Sequence, residues 1–378
     1  MTTHVFIVDK QSFKVHLEYM FVGTGSRDND IDFNGKADSK LPYQSENGLV
    51  SMMADFSRVR EGDYVVFYVQ ASSKREGKFY GIYKIASKPF YAPNNDEQYL
   101  ADELKKNLTF RAIIKPHIVY AEGVTEWEAL DDIKGISAPN QMLWSLIYRK
   151  LKGERGNTMI TLYEAEKLFC LIRTKNNNKN IVANSYSYKS EDEKVKGYKR
   201  KPKKYKDSIL TTFDILPRLI SKKHNNRAYE SHLQMFITQN IGNHISLDKA
   251  LKVNNKTFEW LGNEVSCGVG MQRIDIMFSQ NTNDTEREIV PIELKAVPAS
   301  KDNVRQISRY VDWIEQYYIS NRPSTIRPVL ICPASQLSVD TKQAFRVFNT
   351  KYKGRCLPLE YIEVTDNGND LIFTNKPY

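Results

Sequence analysis

The stretches MQRIDIMFSQ (271–280) and IVPIELKAV (289–297) decide the fold of the C-terminal half of the chain. In the first, period-two alternation places Asp275 on the opposite face of a strand from its apolar neighbours. In the second, the same alternation places Glu293 and Lys295 on one face. The segment between the two runs is polar and rich in turn-forming residues. The pattern therefore predicts a hairpin that brings Asp275 near Glu293 on a polar sheet face.

Two carboxylates on one sheet face are suited to a hard divalent cation, because Mg²⁺ prefers oxygen ligands and usually keeps several waters. Asp275 and Glu293, together with the backbone carbonyl of Leu294, predict a Mg²⁺ site, with Mn²⁺ as the alternative ion. A metal at such a site activates water and stabilises charge on a phosphate, while Lys295 could orient the water or offset that charge. The alternative is that these residues form the solvated face of a half-exposed hairpin.

Two predicted helices flank the hairpin. AYESHLQMFITQNIG (228–242) carries apolar residues at helical spacing and leaves Glu230 on a neighbouring stripe. KDNVRQISRYVDWIEQYYIS (301–320) is amphipathic and presents Gln306 and Tyr310 together. The order is therefore a helix with Glu, a strand with Asp, a strand with Glu-x-Lys, and a helix with Gln and Tyr.

This order resembles the PD-(D/E)XK nuclease superfamily, and residues 225–335 are similar to the C-terminal domain of NucS (EndoMS) endonucleases. There a helix, an R-[IV]-D strand, an [IV]-E-[IL]-K strand and a Q-[IL]-x-R-Y helix follow one another. The resemblance implies that Asp275 and Glu293 bind metal, that Lys295 is the catalytic lysine, that Glu230 is an acidic helper, and that Gln306 and Tyr310 line the site. The Pro expected before the first acid is absent, and Ile274 stands there.

The N-terminal part of the chain, residues 1–174, is β-rich with a few helices. Its short apolar runs predict strands at 4–9, 62–70, 78–91 and 108–120. Short strands of this kind are typical of a small barrel. The Gly62-Asp63 turn into an apolar strand, followed by a G-I-Y-K-I strand, resembles the PUA-like group that includes EVE and YTH domains, many of which read a modified or flipped base. The alternative is an unrelated barrel used for folding or dimerisation.

Both resemblances together define the expected fold class, which is α/β. An N-terminal PUA-like β-barrel with helices would precede a C-terminal restriction-endonuclease-like mixed sheet flanked by helices. At 378 residues the chain is too long for one such nuclease core. We expect a nucleic-acid recognition domain over 1–174, a basic flexible linker over 175–208 and a nuclease domain over 209–378.

The net charge of +10 is unevenly spread along the chain. Residues 175–194 are rich in Asn, Ser and Lys, which predicts a mobile linker. YKRKPKKYK (198–206) then holds six basic residues and no acid. Its predicted DNA contacts are Lys199, Arg200, Lys201, Lys203 and Lys204. Interleaved tyrosines favour a sequence-independent phosphate contact, and the alternative is a solubilising tether.

A second basic cluster lies in the segment 140–168. Its candidate phosphate contacts are Arg149, Lys150, Lys152 and Arg155. Asn157 or Trp144 could approach a base. The alternatives are that the charges form a solvated face and that Trp144 is a core residue, and for Trp144 the core placement is favoured.

Composition excludes several other classes. The four cysteines lack the spacing of a zinc site or a disulfide scaffold. The N-terminus has no signal-peptide pattern, and no apolar stretch approaches ~18 residues, so we expect a cytoplasmic protein without a membrane partner. The predicted function is a metal-dependent endonuclease acting on double-stranded DNA, of restriction type, with modification sensing as an option, and working as a homodimer. The alternatives are a mismatch or branched-DNA repair endonuclease and a nucleic-acid-binding protein with an inactive nuclease scaffold.

Overall fold

The computed structural model describes residues 1–25, 46–73, 75–92, 98–148, 156–206, 213–255, 257–268, 272–282 and 286–378. The chain forms two compact units. Unit 1 holds most of residues 1–213, and unit 2 holds residues 214–378 together with the short segment 138–140. In the part of the chain that the structure describes, no helix is both long and apolar enough to cross a membrane.

Unit 1 contains short strands and helices in alternation. Its strands are β1 (Thr3–Val8), β2 (Phe21–Thr24), β3 (Tyr64–Val69), β4 (Lys78–Ile85), β5 (Phe90–Tyr91), β6 (Phe110–Pro116), β7 (Val124–Thr125), β8 (Asn157–Ile160), β9 (Ser185–Lys189) and β10 (Lys194–Tyr198). Its helices are α1 (Lys10–Tyr19), α2 (Glu46–Ser57), α3 (Ala101–Leu104), α4 (Glu126–Leu130), α5 (Trp144–Tyr148) and α6 (Leu162–Lys175).

The main sheet of unit 1 runs in the order β2-β6-β4-β3-β1-β8, with β5 beside β6 and β7 beside β4. It is a curled half-barrel, and among the described residues β2 and β8, at the two ends of the path, do not pair with each other. The four strands predicted from the apolar runs are confirmed as β1, β3, β4 with β5, and β6. Their apolar side chains are almost fully buried, as burial on both faces of a covered sheet requires.

The structure differs from the predicted mobile linker over 175–208. Helix α6 extends to Lys175, and residues 185–198 form the antiparallel hairpin of β9 and β10. Tyr186, Tyr188 and Val195 of this hairpin are buried. The two tyrosines are two positions apart, so they lie on the same face of β9. This face is apolar although the segment as a whole is polar.

Unit 2 begins with helices and continues as a mixed sheet. Its helices are α7 (Leu216–His224), α8 (Glu230–Asn240), α9 (Ile245–Leu251), α10 (Lys301–Trp313), continued by a π-helical turn over Ile314–Tyr318, and α11 (Val339–Lys351). Its strands are β11 (Phe258–Ser266), β12 (Arg273–Asn281), β13 (Arg287–Leu294), β14 (Ser324–Ile326), β15 (Val329–Pro333), β16 (Glu360–Asp366) and β17 (Leu371–Lys376).

The sheet of unit 2 runs in the order β11-β12-β13-β15-β16-β17, with β14 beside β13. Strands β11, β12 and β13 are antiparallel, whereas β13, β15 and β16 are parallel. The predicted hairpin of β12 and β13 and the flanking helices α8 and α10 lie where the sequence analysis placed them, and strand β15 and helix α11 follow. The mixed α/β fold class is therefore confirmed.

Candidate functional site

The candidate site lies where β12 and β13 diverge. Backbone pairing between these strands ends at Ile276 and Ile292. At the next position Asp275 uses its side chain, and its Oδ2 accepts a hydrogen bond of 2.7 Å from the amide of Leu294. The divergence opens the end of the hairpin and leaves Asp275 beside the strand that carries Glu293. The hairpin placement predicted from the sequence is thus realised.

Glu293 lies on β13, between β12 and β15, and its side chain is fully buried. Its Oε1 lies 2.6 Å from the ammonium of Lys295, which confirms that the two residues share a face. The same ammonium lies 3.5 Å from Oε1 of Glu230, the first residue of α8. Lys295 therefore joins the buried carboxylate to a half-exposed one.

Tyr310 fixes Glu293 from the side of α10. Its hydroxyl lies 2.7 Å from Oε2 of Glu293 and 2.7 Å from the carbonyl of Arg273, and it accepts a 2.7 Å hydrogen bond from Gln306 Nε2. Both residues face the site because they lie one turn apart on the same helix. A capping box between Ser300 and Asn303 begins that helix. The structure thus brings Gln306 and Tyr310 to the site.

Two further residues of the site are Gln234 and Glu264. Gln234 Nε2 donates to the carbonyl of Asp275 at 2.8 Å and to Oε1 of Glu264 at 3.1 Å. Glu264 in turn pairs with Arg273 at 2.8 Å, and its φ of +52° lies in the left-handed region. A non-glycine residue with positive φ is uncommon and is often found at functional sites. Sequence reasoning missed Glu264, because period-two alternation carries no signal for backbone handedness.

The electrostatics of the site follow from burial and from charges in contact. Burial, together with the charge of Glu293, raises the pKa of Asp275 well above its usual range. Burial also raises the pKa of Glu293, although Lys295 and Tyr310 act in the opposite direction. Burial by itself would lower the pKa of Lys295, but the carboxylates of Glu293 and Asp275 raise it instead. Lys295 is therefore a permanent positive charge at neutral pH.

The donor set fits a hard divalent cation. Asp275 and Glu293 supply oxygens, and a cation between them would offset the burial that raises the pKa of both carboxyls and the repulsion that Glu293 exerts on Asp275. Over the described ranges, no group of three or more His, Cys, Asp or Glu side chains could hold a metal. A cation here would therefore take its remaining ligands from waters and from a main-chain oxygen such as that of Leu294, as Mg²⁺ commonly does.

Replacing Tyr310 by Phe tests whether the hydroxyl positions Glu293. The change removes the contacts of Oη with Glu293 and with the carbonyl of Arg273. For the metal-dependent DNA cleavage expected from the sequence, we predict a slowing of roughly 10- to 100-fold, because residues that orient metal ligands have effects of this size. The measurement is the single-turnover rate of duplex cleavage at saturating Mg²⁺.

Tyr352→Phe is the matched control. Tyr352 is buried, and its hydroxyl also contacts a carboxylate, Asp312 Oδ2 at 2.9 Å. Within the described residues the hydroxyl has a further contact with the carbonyl of Ser308 and none with the site residues. We expect this variant to cleave at the rate of the wild type. Equal slowing in both variants would show that the Tyr310 hydroxyl acts only through the stability of the fold.

The candidate contacts in the segment 140–168 have different outcomes. Arg149, Lys150, Lys152 and Arg155 lie outside the described residues. Asn157 is buried; its amide nitrogen donates to the carbonyl of Asp55 at 3.2 Å, and its side-chain oxygen accepts from Arg58. The expectation that Asn157 approaches a base is corrected, because its side chain is used inside unit 1. Trp144 is partly buried at the start of α5.

Unit 1 also contains a cavity of about 390 Å³ that the sequence did not predict. It lies beside β1 and β2, and its lining includes Ile7, His16, Thr24 and Lys106. A Cβ on Gly25, which also lines it, would lie 2.4 Å from the carbonyl of Asn107, so glycine is needed for this close approach. The volume is within the range of small-molecule sites, ~300 to 1,000 Å³.

His16 is the buried titratable group of this cavity. In the described parts of the chain its Nδ1 has no hydrogen-bond partner, and only 1% of the residue is exposed. Burial lowers the pKa of His16 to about 3, and the charges of Lys106 and Arg111 act in the same direction. The imidazole is therefore neutral at physiological pH, and its Nδ1 is buried.

The depressed pKa of His16 predicts a pH dependence of stability. Below pH 6.5 this residue is protonated in the unfolded chain but not in the folded chain. The free energy of unfolding therefore decreases as the pH is lowered from 6.5 to the folded-state pKa of about 3. Relative to His16→Gln, the wild type should lose about 1.4 kcal/mol per pH unit in this window. Urea unfolding of both proteins at about pH 6.5 and pH 5 measures the difference. Parallel losses in the two proteins would contradict the prediction.

Comparisons with known proteins give partial structural likenesses. No protein-family model matches the chain, and no curated protein matches it. A hypothetical protein from Leishmania major is similar over 46% of this chain and 96% of its own, with 9% identity and a TM-score of 0.29. Human THYN1 protein, solved in complex with 5-methylcytosine containing DNA, is similar over 45% and 96%, with 14% identity and a TM-score of 0.25. A Pseudomonas syringae protein is similar over 45% and 98%, with 13% identity and a TM-score of 0.27. Similarities at this level assign no function to the chain.

Proposed function

We propose that this protein is a Mg²⁺-dependent endonuclease that hydrolyses phosphodiester bonds in double-stranded DNA, with Mn²⁺ as the alternative ion. One observation carries the proposal. Asp275, Glu293, Lys295 and Glu230 come together from two strands and a helix at the point where β12 and β13 diverge, and Tyr310 holds the buried Glu293 from behind. A solvated face of a hairpin would not bury Glu293 completely.

The residues of the site have different proposed roles in hydrolysis. Asp275 and Glu293, with the carbonyl of Leu294, would hold the cation. When bound, such a cation lowers the pKa of water and stabilises charge on the phosphate. Lys295 stays charged because of its carboxylate neighbours, so its role is to offset the negative charge of the transition state rather than to accept a proton. Glu230 contacts Lys295 and keeps its ammonium near the site.

Unit 1 is proposed to choose the target, as a PUA-like recognition domain would. Its cavity is large enough for a flipped base, and the neutral ring of His16 is part of its lining. The lining departs from the aromatic walls common in that group, because among the described lining residues His16 alone carries a ring. We propose a restriction-type enzyme that senses base modification.

A homodimer is proposed because cutting both strands of a duplex commonly takes two such sites. The first product of plasmid cleavage then depends on whether the protein acts as a dimer or as a monomer. A dimer gives linear plasmid directly, whereas a monomer gives nicked circles first.

A panel of duplexes tests the proposed function. The same sequence would be supplied unmodified, with 5-methylcytosine, with a mismatch, and as a branched junction, and each would be incubated with the full chain and Mg²⁺. We expect cleavage of one duplex class at defined positions, and none in EDTA. Preference for the mismatched or branched substrate would replace restriction by repair as the function. No cleavage of any duplex would identify the C-terminal unit as an inactive nuclease scaffold and overturn the proposal.

A further inference from the structure

The basic segment, residues 199–206, is fixed to unit 1 at its N-terminal end. It comes directly after β10, and two side chains of unit 1 hold its backbone. Asn184 Nδ2 donates to the carbonyl of Lys199 at 2.7 Å, and Ser185 Oγ donates to the carbonyl of Arg200 at 3.0 Å. The start of the segment is thus held by its backbone, which leaves its side chains available.

The C-terminal end of the segment is fixed by Tyr205. The ring of Tyr205 packs 5.0 Å from that of Tyr99 and 5.2 Å from that of Phe21. Its hydroxyl accepts a 2.9 Å hydrogen bond from Arg111 Nη1, and Arg111 is fully buried. Tyr205 is therefore an anchor for the segment rather than a platform for stacking bases.

Lys203 fixes the middle of the segment. Its ammonium lies 2.9 Å from Oε2 of Glu18 and 3.6 Å from Oε2 of Glu103. Ser187 Oγ donates to the other oxygen of Glu18 at 2.8 Å, so Glu18 joins α1, β9 and the segment. Burial alone would raise the pKa of Glu18, but the hydrogen bonds from Lys203 and Ser187 lower it below its ordinary value. Lys203 thus has a structural use that differs from its predicted phosphate contact.

The remaining cations of the segment are exposed. These are Lys199, Arg200, Lys201, Lys204 and Lys206. No carboxylate pairs with any of them among the residues that the structure describes. The guanidinium of Arg200 lies over the ring of Tyr198 at 4.9 Å, which orients it without neutralising it. The segment thus carries five exposed positive charges that no described carboxylate neutralises, and it is anchored at three points.

We propose that the basic segment is a preformed surface for the phosphate backbone of double-stranded DNA. This inference rests on the proposed DNA substrate and goes beyond it, since it assigns affinity to a part of unit 1 distinct from the cavity. DNA is a linear polyanion, and cations without carboxylate partners can replace its condensed counterions. Because three anchors already order the segment, binding does not have to order it. An anionic membrane fits less well, since the segment exposes no large apolar side chain to insert.

The salt dependence of DNA binding tests the proposal. The full chain would be titrated with a labelled duplex in EDTA, at salt concentrations from about 50 to 300 mM, so that cleavage does not interfere. In the triple variant Lys199→Gln, Arg200→Gln, Lys201→Gln, the slope of log Kd against log salt should fall by about 2.7, at about 0.9 per lost phosphate contact. We expect binding to weaken by roughly 10- to 100-fold at low salt.

A second triple variant is the matched control. Lys88→Gln, Lys115→Gln, Lys134→Gln removes the same charge from exposed lysines elsewhere in unit 1. We expect its salt slope to stay within one unit of the wild type. Equal slopes for the wild type and the variant of the basic segment would overturn the proposal. The proposal would also be overturned if the triple variant of the basic segment lost binding to vesicles of about 30% phosphatidylserine while its DNA binding stayed unchanged.

Lys203→Gln tests the anchoring separately. It keeps all five exposed cations but removes the contacts with Glu18 and Glu103. Limited trypsin digestion read by mass spectrometry should show slow cleavage within 199–204 in the wild type and faster cleavage in this variant. Rapid cleavage there in the wild type would contradict a preformed surface. DNA binding through the segment without DNA cleavage would refute only the nuclease function.

DNA cleavage together with an unchanged salt slope in the triple variant would refute only this inference.

Discussion

Replacing Glu293 by Gln is expected to lower the rate of metal-dependent DNA cleavage by at least roughly 10³-fold. Glu293 is the fully buried carboxylate of the site, and it contacts both Lys295 and Tyr310. Gln keeps the size of the side chain but loses the negative charge that would hold a divalent cation. Single-turnover cleavage at saturating Mg²⁺ measures the rate, and calorimetric titration with Mg²⁺ measures the loss of binding in the absence of DNA.

Glu259→Gln is the control for this prediction. Glu259 lies on β11 of the same sheet and pairs with Arg287 at 2.6 Å, so the chemical change and the loss of an ion pair are alike. We expect this variant to bind Mg²⁺ and cleave DNA as the wild type does. If Glu293→Gln bound Mg²⁺ with unchanged affinity, the assignment of Glu293 as a metal ligand would be wrong, whatever its cleavage rate.

Replacing Lys295 by Met is expected to slow cleavage by about 10²- to 10³-fold. The ammonium is the positive charge nearest to Glu293, and the carboxylates around it keep it protonated. In the proposed mechanism this charge stabilises the transition state, so without it the chemical step should slow while the affinity for DNA changes little. Lys295→Arg, which keeps the charge with a different shape, should fall between Met and the wild type.

The control here is Lys252→Met, which removes an ammonium paired with Glu360 on the same unit. We expect its cleavage rate to equal that of the wild type. A kcat that is unchanged in Lys295→Met, with weaker DNA binding alone, would show that Lys295 contacts the substrate without stabilising the transition state.

The fold of unit 2 could be predicted because its signals are periodic. Alternation fixed the faces of β12 and β13, and helical spacing placed Glu230 and Tyr310 on flanking helices. Local periodicity says which residues share a face, and the order of elements then brings those faces together.

Other parts of the site depend on contacts between distant residues, which no local pattern records. Gln234 bridges Asp275 and Glu264 across 41 and 30 residues of sequence. The left-handed backbone of Glu264 has no signature in its side-chain type. The cavity beside His16 forms where β1, α1, β2 and residues 106–108 pack together.

The hairpin of β9 and β10 shows how average composition can mislead. Residues 175–194 are polar overall, which predicts a mobile linker. Tyr186 and Tyr188 nevertheless lie on one face of β9 and are buried, and Lys203 and Tyr205 hold the basic segment against unit 1. Two aromatic residues spaced two positions apart are enough to bury one face of a strand whose average composition is polar. The reason is that burial depends on the side chains of that face and not on the average over the segment.

Cleavage of supercoiled plasmid tests the central claim most directly. The substrate would carry the modification or structure preferred in the duplex panel, and the wild type and Asp275→Asn would be compared over time with Mg²⁺ and with EDTA. We predict conversion of supercoiled DNA by the wild type with Mg²⁺ and none by Asp275→Asn or in EDTA. Conversion at the same rate by the variant, or by the wild type in EDTA, would contradict a metal-dependent site built on Asp275 and Glu293.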